Sequence, residues 1–198
     1  MQPVDYRLLT QALEFYKSHG YQYIDVPWLV LPSCANVTHE NPFGKFKTTG
    51  WHGGNLELVG SAEQGFIQLY YLGQLQENTA YVSVSPCFRR GDNESPYHQE
   101  TFMKIELCYI RGRADESYVK YMTTHAKECF LELGALVLSK EENDGIIDII
   151  APVKNGSEFG SFIEIGSYGT RDLIKINRPN TVLDFGTGLA LPRFQEIV

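Results

Sequence analysis

The residues best equipped for chemistry lie in one stretch, from Cys87-Phe88-Arg89-Arg90-Gly91-Asp92 to Phe102-Met103-Lys104-Ile105-Glu106. It reads as two strands joined by a polar loop. Side chains alternate along a strand, so Tyr81, Ser83, Ser85, Cys87 and Arg89 share one face of the first. On the second, Phe102, Lys104, Glu106 and Cys108 share a face, and Met103, Ile105, Leu107 and Tyr109 take the other. One face is apolar and suits a core. The opposite face carries a guanidinium, an aromatic ring and a Lys/Glu pair, which a purely structural strand does not need. An arginine grips phosphate in a bidentate fork, and a phenylalanine gives a base a surface to stack on. The expectation is a nucleotide site. The plainer alternatives are an edge arginine on a carboxylate, a core phenylalanine and a Lys104–Glu106 salt bridge.

Three further groups carry chemistry. Ser61-Ala62-Glu63-Gln64 satisfies the capping-box pattern, so Glu63 could complement a helix N-terminus. Glu164-Ile165-Gly166-Ser167 sets a carboxylate and a hydroxyl on a strand. Gly186-Thr187-Gly188 leads to Pro192-Arg193. Glycines at a helix start let phosphate approach backbone N–H groups, and the spacing predicts a last short helix opening there.

Taken together in this order, the groups resemble the signatures of the class II aminoacyl-tRNA synthetases, closest to the seryl type of subclass IIa. Gly20-Tyr21-Gln22-Tyr23-Ile24-Asp25-Val26-Pro27, after an amphipathic helix, resembles motif 1. The Cys-Phe-Arg to Phe-x-Lys-x-Glu pair resembles motif 2. Ser61–Glu63 resembles the Thr-x-Glu signature, Glu164–Ser167 the strand before motif 3, and Gly186–Arg193 motif 3 itself. Each signature alone is degenerate; their order along the chain carries the resemblance.

The resemblance implies an α+β fold with a mainly antiparallel sheet flanked by helices, and an adenylate-forming ligase acting on an amino acid and ATP with Mg²⁺. It implies Arg89 on the α-phosphate and Arg193 on the γ-phosphate as catalytic residues. Phe102, Lys104, Glu106 and Glu164 would complete the ATP site, with Glu106 and Glu164 as metal ligands. Ser61, Glu63 and Ser167 would hold the amino acid, Glu63 facing its ammonium group. It also implies a homodimer through the first helix and the strand around Pro27. Two departures stand out. The position where motif 2 carries a glutamate is Gly91, with Asp92 and Glu94 nearby, and Pro192 replaces a small residue in motif 3. Arg90 falls on the other strand face, and His98 lies in the motif 2 loop beside the expected ATP or acceptor.

At 198 residues with 43% hydrophobic content, the chain is expected to form one domain over 1–198. The motifs leave no room for an anticodon-binding or tRNA-arm domain. A net charge of −7 argues against an extensive tRNA surface. The expected acceptor is therefore a carrier protein or small molecule, as for stand-alone synthetase-like paralogues. The alternatives are a minimal or partner-completed tRNA ligase, and a non-catalytic regulator that binds an amino acid or nucleotide. Cys34, Cys87, Cys108 and Cys129 lack metal-ligand spacing and read as isolated thiols, although Cys87 and Cys108 could approach on paired strands. With no signal peptide and no membrane-length apolar run, the expected location is cytoplasmic.

The elements that must position these groups follow from periodicity. Asp5 caps a helix with an apolar stripe from Leu8 to Tyr16, ended by Gly20. Residues 21–31 read as a strand with Pro27 at an edge, and 33–57 as a polar flap. Helices are predicted over 61–76 and 114–138, the second burying Tyr121 among others. Strands are predicted at 146–151, 161–165 and 181–185, with the helices on one side of the sheet.

Overall fold

A computed structural model describes residues 3–38, 47–48, 56–89, 95, 97–142, 145–153 and 161–198. Helix α1 (Tyr6–Ser18) begins where the Asp5 side chain accepts from the Arg7 N–H, and Gly20 closes it at φ +87°. Strands β1 (Gln22–Tyr23) and β2 (Leu29–Val30) follow, then α2 (Pro32–Thr38), β3 (Lys47–Thr48), β4 (Leu56–Leu58) and α3 (Ala62–Tyr71). Next come β5 (Ala80–Phe88), β6 (Thr101–Gly112), α4 (Val119–Glu132), β7 (Leu138–Glu141), β8 (Ile147–Pro152), β9 (Phe162–Asp172) and β10 (Thr181–Leu191). A 3-10 turn, Arg193–Glu196, follows β10.

Among the described residues the main sheet has seven strands in the order β1-β5-β6-β10-β9-β8-β7, antiparallel except for β1 on β5; β2, β4 and β3 form a smaller sheet. The α+β architecture is as expected, but the helices do not lie on one side. On one sheet face, α1 and α4 bury Leu9, Ala12, Tyr16, Met122, Ala126 and Phe130 against Val82, Ile105, Leu107, Leu189 and Leu191. On the other, α2 and α3 bury Cys34, Ala35, Phe66 and Ile67 against Tyr81, Cys108, Ile110, Leu183 and Phe185. The second face is covered only towards one end, so its remainder is left for a site. The alternation is decisive here. Cys108 and Ile110 continue the face of Glu106 and Lys104, and whether that face is core or cleft depends on whether α3 lies above it.

Several boundaries move, each for a physical reason. The strand expected over 21–31 is two short strands, because Pro27 lacks a donor and the chain passes from β5 to β4 there. That bend packs on α3 at Gly65, where a Cβ would stand 2.7 Å from Val26 Cβ. Helix α3 stops before Gly73, at φ +70°. Helix α4 starts late, at Val119, because Ser117 and Asp184 hold its first turn. Ser117 Oγ accepts from the Val119 N–H at 3.3 Å, and buried Asp184 accepts from the Tyr118 N–H at 2.7 Å. Tyr121, expected inside, is 54% exposed. Gly186-Thr187-Gly188 does not open a helix but lies within β10. Cβ atoms at Gly186 and Gly188 would stand 2.4 Å from Tyr168 and 2.6 Å from Ile105. These glycines make room for packing rather than for phosphate.

The flap expected over 33–57 is partly described: α2, β3 and β4 lie within it, and 39–46 and 49–55 fall outside the described residues. The same holds for Arg90, Gly91, Asp92 and Glu94.

Candidate active site

The register of β5 on β6 sets Ser83 opposite Glu106, Ser85 opposite Lys104 and Cys87 opposite Phe102, all on the half-covered face. On β10, Thr187 lies opposite Glu106, and the register shift at Gly188 places Ala190 opposite Lys104. On β9, Ile165 and Tyr168 are both core residues although an odd spacing separates them. A register shift between β8 and β9 resolves this: Ile149 pairs with Gly166 and Ile150 with Glu164, skipping Ile165. The bulge turns Glu164 and Ser167 towards the same face as Thr187, and the Ser167 N–H donates to Thr187 Oγ1 at 3.4 Å.

Arg89 follows the end of β5, and its N–H donates to the Glu100 carbonyl at 2.8 Å, extending the ladder one step. Its Nε donates to the Gly60 carbonyl at 3.1 Å, and its guanidinium carbon lies 5.1 Å from the Phe102 ring centroid. Arg193 is anchored at the other end of the chain. Its Nε donates to the Tyr97 carbonyl at 3.1 Å, its NH1 donates to the Glu164 carbonyl at 2.9 Å, and Glu164 Oε1 stands 3.7 Å from NH1. These contacts hold Arg193 in place, although it sits close to the C-terminal residue.

Arg89, Phe102, Lys104, Glu164, Thr187 and Arg193 line one cleft with about 490 Å³ of empty space, together with Tyr97, His98 and Gln99. His98 Nδ1 lies 3.2 Å from Ser95 Oγ. A second cleft of about 430 Å³ is lined by Thr38, Gly60, Ser61, Glu63, Gln64, Arg89 and Arg171. Arg89 belongs to both.

Glu106 lies between the clefts and is fully buried. Lys104 Nζ stands 2.9 Å from one of its oxygens and 2.8 Å from the other, and Ser61 Oγ donates to Oε2 at 2.5 Å. Burial pushes the Glu106 carboxyl above its ordinary range, with Glu63 adding to the rise, while Lys104 and Ser61 pull the other way. Ser61 also caps α3, accepting from the Glu63 N–H at 3.4 Å. The capping pattern is completed unusually: Gln64 Oε1 accepts from the Gly60 N–H at 2.7 Å, which leaves Glu63 for another partner. That partner is Arg171, whose Nε donates to Glu63 Oε2 at 3.3 Å. Ser167 lies opposite Asp148 on β8. The Asp148 carboxyl is raised by burial, and also by Glu164, against a hydrogen bond from Ser167.

Of the sequence candidates, Arg89, Phe102, Lys104, Glu164 and Arg193 line the first cleft, Ser61 and Glu63 line the second with Arg89, and Glu106 and Ser167 line neither, Ser167 lying beside Glu164 and away from Ser61 and Glu63. Reading from sequence missed Arg171, Thr187, Tyr97 and Gln99. Arg171 was hidden because the strand was expected to end at Ile165 and in fact runs to Asp172. All four cysteines are buried and unpaired. Cys87 pairs with Phe102 and Cys108 with Tyr81, at separate rungs of the ladder, so the two do not meet. Burial raises the Cys87 thiol to about 11 and that of Cys129 to about 12, which makes them packing groups. Among the described residues, no group of three or more His, Cys, Asp or Glu side chains is placed to hold a metal ion. No described helix is long and apolar enough to cross a membrane.

This fold is that of a class II aminoacyl-tRNA synthetase catalytic core. Within that class the likeness is to the seryl type. The cytoplasmic serine–tRNA ligase of Naegleria fowleri, solved with AMP, superposes with a TM-score of 0.83 over 96% of this chain and 52% of its own, at 17% identity. The seryl-tRNA synthetase of Pyrococcus horikoshii, solved with ATP, gives 0.82 over 98% of this chain and 50% of its own, at 20% identity. PylSc, a pyrrolysyl-tRNA synthetase of Desulfitobacterium hafniense, gives 0.69 at 14% identity, covering 98% of this chain and 66% of its own. In sequence, the serine–tRNA ligase of Akkermansia muciniphila is 27% identical over 142 residues, which cover 66% of this chain and 32% of that protein. The chain thus spans about a third of that relative's length. No protein-family model matches the sequence.

Proposed function

We propose that the protein activates an amino acid with ATP, forming an aminoacyl-adenylate and pyrophosphate. The observation that carries this reading is Arg89, one cation shared by an aromatic-lined cleft and a polar one. Adenine stacks on Phe102, and Arg193 binds the far phosphates. An oxygen of the amino-acid carboxylate attacks the α-phosphorus, and the bond from that phosphorus to the oxygen bridging the β-phosphate breaks. Pyrophosphate leaves with the electron pair. No general base is needed, because the attacking carboxylate is already ionised. Arg89 stabilises the charge that builds on the α-phosphate, so the catalysis is mainly positioning and electrostatics. Glu63 faces the substrate ammonium, and Lys104 neutralises Glu106 beneath the site.

Magnesium fits at Glu164. Its carboxylate lines the cleft, with the carboxylate of Asp148 and the hydroxyl of Ser167 beside it, and these are hard oxygen donors. Glu106 does not fit as a ligand, because both its oxygens already hold Lys104 and one also holds Ser61. A bound magnesium ion would neutralise phosphate charge and orient the triphosphate.

The acylated product passes to a carrier protein, a small molecule or tRNA in the cytoplasm. Two copies associate through the segment around Pro27, where Tyr23, Trp28, Leu29 and Leu31 are exposed. The α1 stripe that first suggested this interface is used up by the chain's own core, so the contact falls to the exposed residues beyond it. A monomer in sedimentation at micromolar concentration would rule the dimer out.

Amino-acid-dependent exchange of labelled pyrophosphate into ATP, screened across all common amino acids, tests the activity. Exchange with at least one amino acid is expected. ATP binding without any exchange would leave a nucleotide-binding regulator instead.

A further inference from the structure

Arg171 takes no part in the adenylation chemistry above, yet it occupies the second cleft. Its Nε donates to Glu63 Oε2 at 3.3 Å, and its guanidinium carbon lies 4.4 Å from the Phe185 ring centroid. The ring and the carboxylate together fix the plane of the fork. The side chain is 35% exposed, and among the described residues its terminal amino groups have no hydrogen-bond partner. A held, partly desolvated donor pair of this kind is complementary to a carboxylate.

The surroundings narrow the choice. Among the described residues, no aliphatic or aromatic side chain lines this cleft, so an apolar substrate side chain would gain little by entering it. With Arg89 committed to the α-phosphate and Glu63 to the substrate ammonium, Arg171 is the cation of this cleft, among the described residues, that the adenylation chemistry leaves without an anion. A zwitterionic amino acid with a neutral side chain leaves one positive charge over, and a basic amino acid adds another. An acidic amino acid, with its net negative charge, closes the balance.

We propose that Arg171 receives the side-chain carboxylate of the substrate, so that the amino acid activated is acidic, of aspartate or glutamate size. This rests on the adenylation reading. The α-carboxylate lies under Arg89, the ammonium group lies on Glu63, and the side chain extends to Arg171. Arg171 then sets specificity, and Phe185 and Glu63 position it.

The test is pyrophosphate exchange with aspartate and glutamate against asparagine, glutamine, serine, alanine, leucine and lysine, for the unaltered protein, Arg171→Gln and Arg171→Lys. One acid should exceed its amide in kcat/KM by on the order of 100-fold. Arg171→Gln should bring that ratio towards unity, and Arg171→Lys should retain part of it, while calorimetric ATP affinity stays as it was. Preferred exchange with an uncharged or basic amino acid would overturn the assignment and leave the adenylation reading standing. So would an Arg171→Gln variant that lost acid and amide activity in equal measure, since that is the mark of a structural role alone. Absence of exchange with every amino acid would overturn the parent reading and this one with it.

Discussion

Replacing Arg89 with alanine separates catalysis from stability, because the structure bounds what the side chain does for the fold. Among the described residues, Arg89 makes one side-chain hydrogen bond, to the Gly60 carbonyl, and one contact with the Phe102 ring. A hydrogen bond of this kind is worth about 1 kcal/mol, and an exposed cation–π contact about 0.5–1 kcal/mol. The variant should therefore lose at most about 2 kcal/mol and melt roughly 4–8 °C lower. The catalytic loss is larger. A preorganised donor on developing charge is worth about 3–4 kcal/mol, or about 100- to 1000-fold in rate. Pyrophosphate exchange well below the melting temperature, with thermal melts alongside, reads both quantities. Arg89→Lys keeps the charge but not the fork, and it should fall between the two. Retention of more than half the exchange rate by Arg89→Ala would refute the placement of the α-phosphate. A collapse in melting temperature would show that Arg89 serves the fold instead.

Asp184→Asn should be severely destabilising. The buried carboxylate accepts from Arg111 Nε at 2.8 Å, Thr170 Oγ1 at 2.7 Å and the Tyr118 N–H at 2.7 Å. Breaking such a pair costs about 3–5 kcal/mol, so thermal melts should show a fall of roughly 10 °C. His125 sits against Tyr21 and His19, with Glu128 on its own helix. Burial and then the charge of His19 lower its pKa below 6.5. The unfolded chain therefore binds the proton more readily. The contribution of His125 to stability is complete above pH 6.5 and is lost as pH falls through the depressed folded value. His125→Gln should flatten the decline in melting temperature between neutral and acidic pH, and an unchanged slope would count against this. Assayed with total tRNA and its activated amino acid, the chain alone should not charge tRNA efficiently. It has 17 Lys and Arg against 24 Asp and Glu, and some of that basic charge is already paired: Arg111 is buried on Asp184, Lys104 is buried on Glu106, and exposed Arg113 is bound to Asp172. Robust charging without an added subunit would restore the tRNA-ligase reading.

The face assignment on β5 and β6 was legible because strand alternation is local, and the register of the pair preserves it from Tyr81 to Phe102. Elements whose limits depend on distant contacts were not legible. Helix α4 starts where Asp184 can cap it, and Asp184 lies on a strand far along the chain. Strand β9 outruns its apolar run because its outer half carries Thr170 and Arg171 to partners on β10 and α3. The glycines of β10 were the hardest to read. A Gly-Thr-Gly run fits a phosphate loop as well as a strand pressed against tyrosine rings, and only Tyr16 and Tyr168 decide between them.

The same contacts explain why the site can be polar without unravelling the sheet. One face of β6 and β10 is committed to the core under α1 and α4, so burial there does not depend on what lies opposite. The bulge at Ile165 and the register shift at Gly188 then let each strand change its side-chain phase at one residue. Ile165 and Leu189 stay in the core while Glu164 and Thr187 reach the cleft. Removing either irregularity would force a choice between packing and chemistry, because a one-residue shift exchanges the two faces. Gly188 thus serves the candidate site through the register it permits, and not through contact with phosphate.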